Sequence, residues 1–123
     1  MGLILDTSIL IAAERRREAP EDILVRVRNV FGQVDTAIST ITVAELTHGI
    51  YRANTQEDRI RRLKFTESAF RILVAIPISF EIAQIAGKIE GEQAAKGIAI
   101  PIQDLLIGAT ALTLGYSVEQ LSL

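Results

Sequence analysis

Short apolar runs alternate along the chain with longer segments in which apolar residues recur every three or four positions. The runs "GLIL", "TAIS" and "VAIPIS" predict three short strands, and "YSVEQLSL" predicts a last one. Helices are predicted from about Thr7 to Glu18, Pro20 to Gly32, Thr42 to Ala53, within residues 56–75, Phe80 to Lys96 and Ile102 to Leu114, with a short extended piece at "IAIP". Because strands alternate with helices, the pattern predicts an α/β fold, a parallel sheet covered by helices.

The longest predicted helix and the strand after it carry specific expectations. Ile60, Leu63, Phe70 and Leu73 are spaced to form one apolar face of that helix. Pro77 lacks a backbone N–H and therefore places the third strand at an end or an edge of the sheet.

Composition fits one domain with a buried sheet. The chain has 123 residues, of which 49% are hydrophobic, and its mean hydropathy is +0.31. Strands that are buried on both faces would account for this apolar content. The formal net charge of −2 and a pI near 5.4 give no global basic field, so any nucleic-acid interaction must come from local patches.

The chain is expected to be soluble and cytoplasmic. It contains no cysteine, which excludes thiolate chemistry, disulfides and cysteine-ligated zinc. The apolar N-terminus lacks a basic region and is interrupted by Asp6, unlike a signal peptide. The longest uncharged run, residues 105–118, is too short to span a membrane.

Three acids lie in matching places near the start of a predicted helix. Asp6 follows the first strand, Glu45 lies about one turn into the helix after the second strand, and Asp104 lies in the first turn of the most apolar helix. The carboxyl ends of parallel strands meet at one edge of a sheet, where the working crevice lies. If the strands are neighbours, the three carboxylates converge, and such oxygen ligands suit Mg²⁺ or Mn²⁺.

Structural roles for the same acids remain open on spacing alone. Asp6 could act only as the N-cap of the first helix. Thr42-x-x-Glu45 has the spacing of a capping box, and Asp104 could simply interact favourably with a helix dipole.

Other polar residues are interpreted mainly as surface groups. His48 is expected to be a structural or surface histidine, and Glu14 a solvated acid. The basic residues are expected on solvated helix faces, although they could hold phosphates if they flank the acids; they are Arg15, Arg16, Arg17, Arg52, Arg59, Arg61, Arg62 and Lys64.

Three segments, taken in order and spacing, resemble the PIN-domain ribonucleases, and most of all the VapC toxins of bacterial toxin–antitoxin pairs. They are "LILDTSILIAAE", "STITVAELTHGI" and "IPIQDLLIGATALTLGYSV", so the resemblance covers nearly the whole chain. It implies a single PIN-like domain over residues 1–123, a three-layer fold with a short parallel sheet of four to five strands enclosed by helices.

The resemblance also implies an activity, a metal and partners. It implies an endoribonuclease dependent on Mg²⁺ or Mn²⁺, with Asp6, Glu45 and Asp104 on the metal-binding positions and Thr7 on a supporting hydroxyl position. RNA is the implied substrate, and a homodimer and an inhibiting antitoxin in the active-site groove are the implied partners. The basic residues assigned to RNA contact are Arg15, Arg16 and Arg52.

The C-terminus departs from the family pattern. Ser122 falls roughly where the family carries a further Asp or Asn, Glu119 is expected to point elsewhere, and the basic tail is expected to be shortened. This departure keeps open a catalytically weakened or inactive PIN-like domain that binds RNA or protein. A phosphoacceptor or small-ligand domain modified at Asp6 is a further alternative, but neither a paired acid nor a late-strand lysine accompanies Asp6.

Overall fold

Four strands and six helices make up residues 1–119, the part of the chain that the computed structural model describes. The strands are β1 (Gly2–Leu5), β2 (Asp35–Ser39), β3 (Val74–Ile76) and β4 (Ser117–Glu119). The helices are α1 (Thr7–Arg15), α2 (Pro20–Phe31), α3 (Thr40–Tyr51), α4 (Gln56–Ile72), α5 (Phe80–Ala94) and α6 (Ile102–Leu114). This order confirms the predicted alternation of strands and helices.

The strands form one parallel sheet in the order β3-β2-β1-β4. Alternate residues of β1 face opposite sides of the sheet, and both sides are buried. Leu3 and Leu5 pack with residues of α1, α2 and α4, while Ile4 packs with Ile107 and Ala111 of α6. The three-layer α/β architecture is therefore confirmed, with β3 at one edge as Pro77 predicted.

Local signals set the ends of α2. Pro20 occupies its first turn, and the Asp22 carboxylate accepts a hydrogen bond of 2.9 Å from the Ala19 N–H. Gly32 ends the helix at a φ of 77°, a conformation that a side chain would strain. The chain can then turn back at once into β2.

The predicted start of the third helix was wrong. Helix α3 begins at Thr40 rather than near Thr42, because Ser39 caps it: the Ser39 hydroxyl accepts a 3.1 Å hydrogen bond from the Ile41 N–H. Residues 98–101 ("IAIP"), predicted as a short extended piece, lie outside the helices and strands and connect α5 to α6.

Of the four residues predicted to form one apolar face of the longest helix, three are exposed and only Leu73 is buried. Ile60, Leu63 and Phe70 are 44%, 42% and 37% exposed. The residues that α4 and its end bury are Phe65, Thr66, Ala69 and Leu73. The helix carries two apolar stripes, and the sheet covers the one that includes Phe65 and Ala69.

The final predicted strand is confirmed only for its first part, β4. Glu119 is paired in register with Leu5 of β1. Ser122, and the shortened tail expected around it, lie outside the described residues.

Candidate active site

Asp6 lies at the carboxyl end of β1, between that strand and α1. Its backbone N–H donates a 2.9 Å hydrogen bond to the carbonyl of Glu119, and its carbonyl accepts one of 3.1 Å from the Ile9 N–H. Its side chain makes no capping hydrogen bond to α1. Asp6 therefore begins the helix through its backbone alone, and its half-buried carboxylate is left for another role.

Glu45 is held by a hydroxyl from a distant part of the chain. The Thr7 Oγ1 donates a 2.7 Å hydrogen bond to the Glu45 Oε1, across 38 positions of sequence. A capping box of Thr42 and Glu45 is excluded, because Thr42 lies inside α3 and Ser39 is the cap. Thr7 therefore contacts Glu45 directly, and its supporting role at a metal site stays a prediction.

Three hydroxyl groups fix the start of α3. Ser39 caps the helix, the Thr40 hydroxyl accepts a 3.2 Å hydrogen bond from the Ile78 N–H, and the Thr42 hydroxyl lies 2.9 Å from that of Thr7. These bonds tie α3 to α1 and to the loop before α5. They also set the direction of Glu45, which lies one turn further along the helix.

Thr42 is the residue that sequence reasoning missed here. Its spacing of three from Glu45 was interpreted as a cap, although the same spacing places both side chains on one face of a helix. That spacing was the available signal. It could not identify Thr7 as the partner, since the two threonines are 35 positions apart.

Asp104 lies in the first turn of α6 and is exposed. Helix α6 packs against β1, β2 and α3, next to the elements that carry Asp6 and Glu45. Within residues 1–119, however, no group of three or more His, Asp or Glu side chains lies close enough to hold a metal ion. The common site of Asp6, Glu45 and Asp104 therefore stays a prediction.

A cavity of about 150 Å³ adjoins Glu45 between α1, α3 and α4. Arg15 of α1 and Arg62 of α4 line it, beside the apolar side chains of Leu46 and Phe65. Two guanidinium groups, able to contact phosphate, therefore line the same cavity as one of the candidate acids.

Arg62 is fixed in the wall of this cavity. Its Nη1 donates a 2.7 Å hydrogen bond to the carbonyl of Gly49 in α3, and its Nε lies 3.5 Å from the Glu14 Oε1 of α1. One side chain thus connects three helices next to Glu45.

Glu14 is buried rather than solvated, contrary to expectation. Its residue exposure is 9%, and its Oε1 also lies 3.9 Å from the Nε of Arg61. Burial of a carboxylate is tolerated where positive groups face it, and here two consecutive arginines of α4 do so.

The remaining candidates are more scattered. His48 is exposed, as expected. Arg16 pairs with Glu18, and Arg52 is an exposed residue at the C-terminal end of α3. Of the three arginines assigned to RNA contact, Arg15 alone is seen to line the cavity beside Glu45.

None of the helices in residues 1–119 combines the length and the apolar character that a membrane crossing requires.

Comparisons with known proteins agree with this architecture. The family model described as PIN domain matches residues 3–118. The chain is 35% identical to Ribonuclease VapC1 of Rickettsia felis over 122 residues, which cover 99% of this chain and 86% of the relative.

Solved structures give the same picture. VapBC2 from Rickettsia felis, crystallised with a DNA fragment from its promoter, matches with a TM-score of 0.75 and 25% identity over 96% of this chain and 86% of the other. VapBC-5 of Mycobacterium tuberculosis, from the VapBC family of toxin–antitoxin systems, matches with a TM-score of 0.71 and 26% identity. The match covers 96% of this chain and 83% of the other. With its parallel sheet and a match over nearly all of its residues, the chain belongs to the PIN-domain family.

Proposed function

We propose that this protein is an endoribonuclease dependent on Mg²⁺ or Mn²⁺, and that it acts as the toxin of a toxin–antitoxin pair. The observation that carries the proposal is the 2.7 Å hydrogen bond from Thr7, the residue next to Asp6, to Glu45. It brings two candidate acids of a PIN domain to the carboxyl edge of the sheet. The relatives named as VapC ribonucleases support the activity.

In this proposal Asp6, Glu45 and Asp104 hold the ion. Carboxylate oxygens are the ligands that Mg²⁺ and Mn²⁺ prefer, and the Asp6 carboxylate is not used for capping. Like charges repel without a cation between them, so we expect the three side chains to close together only on binding. When bound, such an ion orients water and neutralises charge on a phosphodiester.

The chain's own residues would orient the RNA. Arg15 and Arg62 line the cavity next to Glu45, where each can donate hydrogen bonds to a phosphate near the acids. Arg62 is already held by Gly49 and Glu14, so it loses little freedom on binding. Arg16 and Arg52 are proposed as weaker contacts at the periphery.

Two protein partners are part of the proposal. The structural relatives include VapBC toxin–antitoxin complexes, which supports an antitoxin that covers the acids and brings an Arg or Lys to them. A homodimer is the second partner, supported by apolar side chains such as Phe80 that are exposed in the single chain. We also propose that the protein acts in the cytoplasm, where an RNA substrate and an antitoxin would be available.

The test is a cleavage assay on total RNA with Mg²⁺ or Mn²⁺ titrated from zero. We expect cleavage that requires the metal and falls at least about 100-fold in Asp6→Asn and Glu45→Gln, as for loss of groups essential to the chemistry. Lys88→Gln, on the exposed surface of α5, is the control and should cleave like the wild type.

A second function is favoured by one observation, the lack of a three-ligand cluster within residues 1–119. It is a catalytically weakened PIN domain that binds RNA or protein. Metal-independent RNA binding without cleavage, unchanged by Asp6→Asn, would establish this function in place of the first.

A further inference from the structure

We propose that Thr42 is a positioning residue for Glu45 and acts through the hydroxyl of Thr7. The catalytic consequence rests on the proposed function, but the hydrogen-bonded chain itself does not. Thr42, Thr7 and Glu45 form a continuous series in which the three side-chain oxygens are separated by 2.9 and 2.7 Å. We call this series the threonine chain.

The number of protons fixes the direction of the threonine chain. Each hydroxyl carries one proton, whereas an ionised carboxylate can only accept. The Thr7 proton therefore goes to Glu45, at 2.7 Å. The bond between the two threonines, at 2.9 Å, then has to be donated by Thr42. Among residues 1–119, Thr42 is thus the side chain that donates a hydrogen bond to the Thr7 oxygen.

Burial makes this donor hard to replace. Thr42 is 0% exposed and Thr7 is 4% exposed, so the bond between the two hydroxyls is buried in the folded protein. Within residues 1–119, the Thr42 hydroxyl has no other side-chain partner. Both side chains are β-branched and stiff about their first torsion, which keeps the oxygens in line.

Position explains what the threonine chain does. Thr42 precedes Glu45 by three residues on the same face of α3, and Thr7 directly follows Asp6 at the start of α1. The threonine chain therefore joins α1 to α3 close to both candidate metal ligands, Asp6 and Glu45. A hydroxyl that accepts one hydrogen bond donates a stronger one. The hydrogen bond from Thr42 therefore strengthens the hydrogen bond from Thr7 to Glu45.

The test is a double-mutant cycle of Thr42→Val and Thr7→Val. Valine has nearly the volume of threonine and carries a methyl group in place of the hydroxyl. Mn²⁺ affinity is measured by calorimetry, and kcat is measured on the RNA substrate. Each single variant should bind Mn²⁺ roughly 3- to 10-fold more weakly, the range for one hydrogen bond. The double variant should be no weaker than the worse single one, because Thr42 acts only through Thr7.

Two further variants separate positioning from packing. Thr42→Ser keeps the donor and should restore Mn²⁺ affinity and kcat to within about 2-fold of the wild type. Thr110→Val is the matched control: Thr110 is also 0% exposed, but its hydroxyl donates to the carbonyl of Leu106 within α6. It should leave Mn²⁺ affinity unchanged.

Additive effects in the double variant, or an active wild type unaffected by Thr42→Val, would overturn the proposal. If the wild type neither binds Mn²⁺ nor cleaves RNA, the proposed function fails, and the cycle is repeated on thermal stability of the metal-free protein. If the losses of thermal stability in Thr42→Val and Thr7→Val are not additive in the double variant, the threonine chain is supported. If they are additive, it is overturned.

Discussion

At the scale of single residues, the hydroxyl of Thr7 orients the half-buried Glu45, and no ion pair with Glu45 is seen in residues 1–119. Thr7 donates to its carboxylate, and Thr42 and Ser39, both 0% exposed, hold the neighbouring backbone and side chains in place. A hydroxyl donor fixes the direction of a carboxylate without cancelling its charge. The acid stays available to a cation, which an ion pair with arginine would not allow.

Asp6→Asn tests what the carboxylate next to Thr7 contributes. Since the Asp6 side chain makes no capping bond, the variant should keep the metal-free free energy of unfolding within about 0.5 kcal/mol of the wild type, or raise it. It should abolish the stabilisation that Mg²⁺ or Mn²⁺ gives the wild type. Thermal melts with and without metal measure both effects. If Asp6→Asn lowered the metal-free free energy of unfolding by about 1 kcal/mol, the Asp6 side chain would be a helix cap after all.

At the scale of elements, α4 connects the core to the candidate site. Its buried stripe packs against the sheet through Phe65 and Ala69, and Arg62 on the same helix reaches both Gly49 and Glu14. A change in how α4 sits on the sheet would therefore move the cavity beside Glu45. The second apolar stripe of α4, which includes Phe70, remains exposed.

The two phenylalanines of α4 form a matched pair for measuring this difference. Phe65→Ala removes a side chain that is 8% exposed and should lower the free energy of unfolding by about 3 kcal/mol. Phe70→Ala removes one that is 37% exposed and should cost about 1 kcal/mol or less. Urea denaturation of both variants gives the comparison. Equal losses would show that the exposed stripe is buried in solution, for instance against a second copy.

Glu18, between α1 and α2, should make the free energy of unfolding depend on pH. Hydrogen bonds from Arg26 and then Arg16 lower the pKa of Glu18 below its ordinary value of 4.5. A lowered pKa stabilises the fold above the unfolded value, and this contribution is lost as pH falls through the folded pKa. Glu18→Gln should therefore be less stable than the wild type at pH 7, by at most about 1 kcal/mol.

Below about pH 4 the difference between Glu18→Gln and the wild type should shrink towards zero. Urea titrations between pH 3 and pH 7 measure it. A difference that stays constant over this range would mean that the ion pairs of Glu18 with Arg16 and Arg26 do not contribute to folding.

At the scale of the whole molecule, large apolar side chains are exposed on both sides of the sheet. Phe80, at the start of α5, is 80% exposed, and Val74 of the edge strand β3 is 63% exposed. Val30 of α2, a helix that packs on the other face of the sheet through Val27, is 65% exposed. We assign the proposed homodimer to the side that carries Phe80, whereas Val30 marks the opposite side of the sheet.

The proposed homodimer predicts a concentration-independent dimer at micromolar protein in light scattering. Phe80→Asp should weaken it at least about 10-fold, because a charge would replace an apolar contact. Val30→Asp, on the other side of the sheet, is the control and should leave the dimer intact. A wild-type chain that stays monomeric at micromolar concentration would contradict the homodimer.

The sequence by itself determined the elements, their order and the class of fold. Strand runs, the proline and glycine at the ends of α2, and the apolar periodicity are local signals, and strands alternating with helices leave a parallel sheet as the natural arrangement. The three acidic motifs were also visible, because each follows an extended segment. Whether all three acids share one metal ion stays a prediction.

Only the tertiary structure decided which surfaces meet. Spacing could not select Phe65 over Phe70 as the core side of α4, since both lie on apolar stripes of the same helix. It could not show that Glu14 is buried against arginines of α4, nor that Thr42 lies beside Thr7, 35 positions away. Periodicity describes one helix or strand at a time, whereas burial and hydrogen bonding between distant residues depend on how the elements pack together.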